Sequence, residues 1–170
     1  MLNNSIEKLI QGKALSLEES KDSMDFIMNG EATSAQIAAF LVSLRIKGET
    51  VEEITGMATS MRNNSLTVSN TSYLVDTCGT GGDGFGTINA STISAIIAAS
   101  GGVKVAKHGN RAASSKSGSA DVLEGLGVVI DLSPDLVAQS IEKTNFGFMF
   151  AQTFHPAMRH VGPTRRELGL

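Results

Sequence analysis

The chain reads as an α/β protein in which a small N-terminal helical domain is hinged to a parallel βαβ sheet domain. Three observations predict this. Residues 1 to about 66 carry helical periodicity with repeated helix-start signals. From Tyr73 onward strand and helix patterns alternate, and 11 of the 18 glycines fall between Gly79 and Gly127. Strands separated by helices pair in parallel, and ligands of such sheets gather at the carboxyl ends of the strands.

In the helical part, Ser16 with Glu19, Thr33 with Gln36 and Thr50 with Glu53 each fit a capping box, so three helix starts are expected. After Thr33, the positions Ile37, Phe40, Leu41 and Leu44 follow i, i+3, i+4, i+7 spacing, and Gly12, Gly30 and Gly48 stand where helices would stop. Asn63 to Ser72, rich in Asn, Ser and Thr, has no helical period and reads as a linker. The expected division is a helical domain over 1–66, a hinge over 67–72 and an α/β domain over 73–170.

The second part predicts strands at Tyr73–Asp76, Val103–Ala106, Val128–Asp131 and Gly147–Ala151. Helices are predicted over Ala90–Ser100 and Ser119–Leu126, and a third starts at Ser133-Pro134-Asp135, which supplies an N-cap, a proline at the first helical position and an acidic first turn. The loops after Asp76, Ala106 and Phe150 are then the places to look for chemistry.

Composition narrows the function classes. Hydrophobic residues make up 41% and charged residues 18%, which is too apolar for disorder and too polar for a membrane bundle. A net charge of −3 argues against a protein whose main task is gripping nucleic acid or an anionic membrane. No apolar run approaches the ~20 residues of a spanning helix. The single cysteine, Cys78, has no partner within the chain, and the start MLNNSIEKLI lacks a secretory pattern, so a cytoplasmic location is expected. Cys78 itself is expected to be a small reduced side chain at a strand end.

The run from Asp76 to Thr92 holds five glycines, Gly79, Gly81, Gly82, Gly84 and Gly86, just ahead of an apolar helix. Such a loop lets backbone N–H groups converge on an anion, and the helix N-terminus adds unsatisfied donors. Gly79, Gly81 and Gly84 match G-x-G-x-x-G, but the position where a dinucleotide site needs an acid is near Lys104, and no Lys-Ser/Thr pair closes the run as in a Walker loop. Ser91 and Thr92 can simply cap the helix, or can also meet phosphate and, through Ser91, magnesium. The second loop, Lys107 to Asp121, concentrates Lys107, Arg111 and Lys116 with small donors, and the two loops together suit a polyphosphate. His155 and His160, five apart, do not share a helical face, so no zinc site is predicted.

The runs DTCGTGGDG, NAST, KHGNRAASSKSGSADVLEGLG and FAQTFHPAMRHVGPTRRELG resemble those of the anthranilate phosphoribosyltransferases. The resemblance implies transfer of a 5-phosphoribosyl group from phosphoribosyl pyrophosphate to the amine of anthranilate with release of pyrophosphate, in tryptophan biosynthesis. It further implies Mg2+ as cofactor and a homodimer formed through the helical domain. Carried over, Gly79, Gly82, Asp83, Thr87, Asn89, Ser91, Thr92, Lys107 and Ser119 are the expected phosphoribosyl pyrophosphate contacts, with Ser91 also the metal ligand. Gly79, His108, Gly109, Asn110, His155 and Arg165 are the expected anthranilate contacts. No covalent nucleophile is implied.

Chains of this family continue well past GPTRRELG, so the sequence reads as truncated, without the adjacent Asp-Glu pair that holds a second magnesium. Asp121 and Glu124, three apart on a predicted helix, are expected to face solvent or to cap. Two alternatives stand beside the main expectation: a pyrimidine nucleoside phosphorylase, from which the Gly-Thr-Gly-Gly-Asp loop points away, and a non-catalytic nucleic-acid-binding relative or fragment.

Overall fold

The computed structural model describes residues 1–69, 73–79, 88–112 and 117–170. These form two compact units, Met1–Ser65 with His155–Leu170, and Leu66–Phe154.

The first unit is helical. Helices α1 (Leu2–Ile10), α2 (Leu17–Met28), α3 (Ser34–Lys47) and α4 (Val51–Asn63) follow one another, and the last three begin at the three capping boxes read from the sequence. In each, the N-cap hydroxyl accepts from the backbone N–H three residues on, and that residue's side chain accepts from the N-cap N–H. Gly12, Gly30 and Gly48 take the left-handed backbone that ends helices. The core joins Leu2, Ile6 and Leu9 of α1 to Ile27, Ile37, Phe40 and Leu44. Gly56 lets α4 lie directly on α2, because a Cβ there would collide with the Leu17 carbonyl and stand 2.7 Å from Ser20 Oγ.

Glu53 serves more than its cap. Its carboxylate is fully buried, and it accepts from the Leu15 N–H, the Thr50 N–H and Lys47 Nζ, each at 2.8 Å. Burial works against its ionisation, yet the hydrogen bonds from Lys47, Leu15 and Thr50 hold its pKa below the usual value.

The second unit is a small sheet with helices on both faces. Helix α5 (Ala90–Ser100) leads to strand β1 (Val105–Gly109); α6 (Ser119–Gly125) and α7 (Pro134–Thr144) follow, then strand β2 (Phe146–Phe150) and the short α8 (Ala151–Phe154). β1 and β2 pair in parallel with Val105 opposite Phe146 and Gly109 opposite Phe150. Side chains alternate along each strand. Val105 packs on Ala95 and Ala99 of α5, and Phe148 and Phe150 pack on Ala120 and Leu123 of α6. On the other face Ala106 meets Val137 and Ile141 of α7, and Gly147 leaves the room those two side chains fill.

Several expectations shift. Tyr73–Asp76 is not a full strand: Val75 alone bridges Val105. The expected strands at Val103 and Gly147 begin at Val105 and Phe146 instead. Val128–Asp131 forms no strand. The Val128 N–H closes the end of α6 on the Leu123 carbonyl, and Ile130 buries its side chain among Phe148, Phe150 and Leu123. A short β-branched run cannot tell a buried strand from a buried connector by periodicity alone.

His155–Leu170, though last in the chain, packs with the helical unit. This segment forms a 3₁₀ turn (Pro156–His160) and helix α9 (Gly162–Leu168), and Val161 buries itself in the core of α1–α3. His155 stands at the N-cap of that 3₁₀ turn.

Candidate functional site

β1 determines where the site lies. Val105 points at the middle of α5, so Lys107, two residues on, points the same way and reaches the start of that helix. Its ammonium is buried, with Nζ 3.2 Å from Ser91 Oγ. Burial pulls the Lys107 pKa down, and the nearby Asp76 carboxylate and Cys78 partly oppose that.

The start of α5 is built for an anion. Asn89 is the N-cap, its Oδ1 accepting from the Thr92 N–H at 3.2 Å and standing 3.5 Å from Ser91 Oγ. Thr92 is buried, and its Oγ1 has no hydrogen-bond partner among the described residues. A buried unpaired hydroxyl costs free energy, so a ligand oxygen here would recover it. The helix end adds its unpaired N–H groups and a positive partial charge.

The chain entering the glycine run is tied to both neighbours. Asp76 Oδ1 accepts from the Cys78 N–H at 3.0 Å and from the His108 N–H at 3.2 Å, while Thr77 Oγ1 donates to the Ser91 carbonyl at 2.8 Å. Gly79 follows these tied residues, with no described atom within 4 Å of where its Cβ would stand. The described beginnings of the two loops, at Asp76 and at His108, meet at one end of β1.

Of the expected phosphoribosyl pyrophosphate contacts, Gly79, Asn89, Ser91, Thr92 and Lys107 gather here. Ser119 starts α6, whose Ala120 N–H donates to the Asn110 carbonyl at 3.1 Å. Gly82, Asp83 and Thr87 lie outside the described residues, as does Lys116. His108, Gly109 and Asn110 follow Lys107 at the carboxyl end of β1. His155 and Arg165 belong to the helical unit, at the 3₁₀ turn and on α9.

Of the three cations of the second loop, Arg111 is held by carboxylates. Its guanidinium holds Glu124 through two bonds, at 2.7 and 3.1 Å, and Asp121 at 3.2 Å, and it stands 5.8 Å over the Phe150 ring. These carboxylates neutralise it, leaving Lys107 as the buried cation among the described residues. Asp121 also accepts from the Ala112 and Gly118 N–H groups, so it caps as expected. Cys78 is exposed as a residue and forms no disulfide; partial desolvation of its sulfur and the Asp76 carboxylate push its thiol pKa up.

Sequence reasoning passed over Asp76 and Thr77 as anchors. The available signal was an Asp-Thr pair at a strand end, where such side chains bond the backbone nearby. For Mg2+, Ser91 offers one hard oxygen with a lone pair beyond the one facing Lys107, which fits a metal that takes its remaining ligands from phosphate and water. Among the described residues no cluster of three or more His, Cys, Asp or Glu could hold a metal. Among the same residues no helix is long and apolar enough to cross a membrane.

Comparison with known proteins adds to this geometry. The family model described as Glycosyl transferase family, a/b domain, matches residues 71–170, and the companion helical bundle domain matches 3–65. The chain is 56% identical to the anthranilate phosphoribosyltransferase of Acetivibrio thermocellus over 171 residues, covering 100% of this chain and 50% of that protein. It is 54% identical to that of Agrobacterium fabrum, with 96% of this chain and 48% of that protein covered. The crystal structure of the Thermus thermophilus enzyme superposes with a TM-score of 0.87 at 50% identity, covering 98% of this chain and 51% of that one. The Saccharomyces cerevisiae enzyme in complex with PRPP and Mg gives 0.90 at 29% identity, covering 99% and 51%. The chain spans about half the length of these relatives.

Proposed function

Because the chain belongs to the glycosyl transferase family whose a/b and helical bundle domains it matches, we propose that it carries the phosphoribosyl pyrophosphate-binding half of an anthranilate phosphoribosyltransferase. The observation that carries this reading is the convergence of Lys107, Ser91 and the orphaned Thr92 hydroxyl at the N-terminus of α5, beside the entry to the glycine run.

Displacement at the anomeric carbon of ribose builds positive charge on the sugar and negative charge on the departing pyrophosphate. The site must neutralise the leaving group and hold an already nucleophilic amine in line. Lys107 supplies a preorganised cation, Thr92 a donor without a competing partner, and α5 its terminal N–H groups. Ser91 would hold Mg2+, which lends further positive charge to the pyrophosphate. Within the second unit, His108 and Asn110 are assigned to anthranilate, whose amine suits the Asn110 carbonyl. The yeast enzyme's complexes with PRPP and Mg and with 4-fluoroanthranilate support this substrate pair over a nucleoside. A homodimer through the helical unit and a cytoplasmic location go with the same reading.

Titrating phosphoribosyl pyrophosphate with magnesium into the chain in a calorimeter should show saturable binding that thymidine does not reproduce. Absence of heat overturns the assignment. Joined to the relatives' remaining half, the chain should consume anthranilate fluorescence only when both phosphoribosyl pyrophosphate and magnesium are present.

A further inference from the structure

Pairing between the Val75 segment and β1 starts as a regular parallel ladder: the Val75 N–H donates to the Lys104 carbonyl and the Ala106 N–H to the Val75 carbonyl, each at 3.0 Å. Continued, that ladder would hand the His108 N–H to the carbonyl of Thr77, two residues further along. It goes instead to Asp76 Oδ1 at 3.2 Å, and the same oxygen takes the Cys78 N–H at 3.0 Å. A side-chain oxygen thus replaces a ladder carbonyl. The backbone at 76–78 can then turn out of the sheet while β1 keeps its donor satisfied, which is why the expected strand is reduced to one bridge. The Cys78 bond alone would be a local Asx turn. The His108 bond spans 32 residues and joins the two loops.

We propose that the Asp76 carboxylate is a positioning residue for phosphoribosyl transfer, one oxygen joining the Cys78 and His108 amides and so setting Gly79 in register with the Lys107–Asn110 segment. Asp76 acts as an acceptor at the point where the two segments diverge, while Thr77 pins the same turn to the Ser91 carbonyl. The functional half of this inference rests on the reading above; the tie itself rests on geometry alone.

Asp76→Ala removes the acceptor, whereas Asp76→Asn keeps a carbonyl oxygen in its place and removes only the charge. Two measurements are made on the 170-residue chain: hydrogen exchange at the Cys78 and His108 amides, and calorimetric titration with phosphoribosyl pyrophosphate and magnesium. Asp76→Ala should speed exchange at both amides about tenfold and weaken binding about tenfold. Asp76→Asn should restore both to within about threefold of the original, which a general loss of structure would not do. If Asp76→Ala fails to fold, Asp76→Ser replaces it: its short side chain can still reach Cys78, so only the His108 amide should be released. The proposal is overturned if Asp76→Asn behaves like Asp76→Ala, or if exchange at His108 is unchanged when the acceptor is lost. If the original chain takes up no phosphoribosyl pyrophosphate, the functional reading and the positioning role fall together, while the exchange data still decide whether the tie exists.

Discussion

Lys107 shows how one side chain can belong to a fold without stabilising it. Its ammonium is buried on the face of β1 that meets α5, and burial disfavours its charge. The arrangement makes sense when an anion arrives, because a desolvated cation interacts more strongly than a hydrated one. Lys107→Ala is therefore expected to weaken phosphoribosyl pyrophosphate binding by about 1.5–3 kcal/mol while leaving the melting temperature of the empty protein unchanged or raised. Calorimetric titration and thermal unfolding read the two effects separately, and unchanged affinity removes Lys107 from the site. Arg111 is the contrasting case. It was legible as a cation, but its partners Asp121 and Glu124 lie well beyond it along the chain, and only the packing of α6 brings them to it.

At the scale of elements, Glu53 ties the α1–α2 connection, the end of α3 and the start of α4 through one buried carboxylate. Its folded pKa lies below its ordinary value of 4.5, so it contributes stability above that value which disappears as the pH falls through the folded pKa. Glu53→Gln should cost about 3 kcal/mol at neutral pH, since it leaves Lys47 without its counter-charge in a largely buried place. The gap between the two proteins in urea unfolding should narrow steadily below pH 4.5. A gap that does not change with pH would show that Glu53 acts through packing alone. The capping box Thr50–Glu53 was legible as local spacing, whereas the reach of Glu53 to Leu15 was not.

For the molecule as a whole, the exposed apolar side chains matter. On α3, Val42 and Ile46 lie one turn apart on the outside, and on α4 Val51 and Ile54 do the same. In α3 the opposite face is already buried through Ile37, Phe40 and Leu44, so Val42 and Ile46 form a second apolar strip that suits a covering. Sedimentation velocity is expected to give a dimer mass, and Ile46→Glu is expected to give a monomer with unchanged helix content. A monomeric original chain would refute the homodimer.

The sequence by itself determined what is written in neighbouring residues: three capped helix starts, three glycine stops, and α5 from Ala90 to Ser100. These depend on interactions across three or four residues, where side-chain type and spacing are enough. Tertiary structure alone decided that Tyr73–Asp76 keeps a single bridge, that Val128–Asp131 is a connector, that Arg111 is neutralised, and that His155–Leu170 packs with the helical unit. Each of these depends on a partner distant along the chain, and free energies of pairing and burial are set by whatever the fold brings alongside rather than by the segment's own pattern.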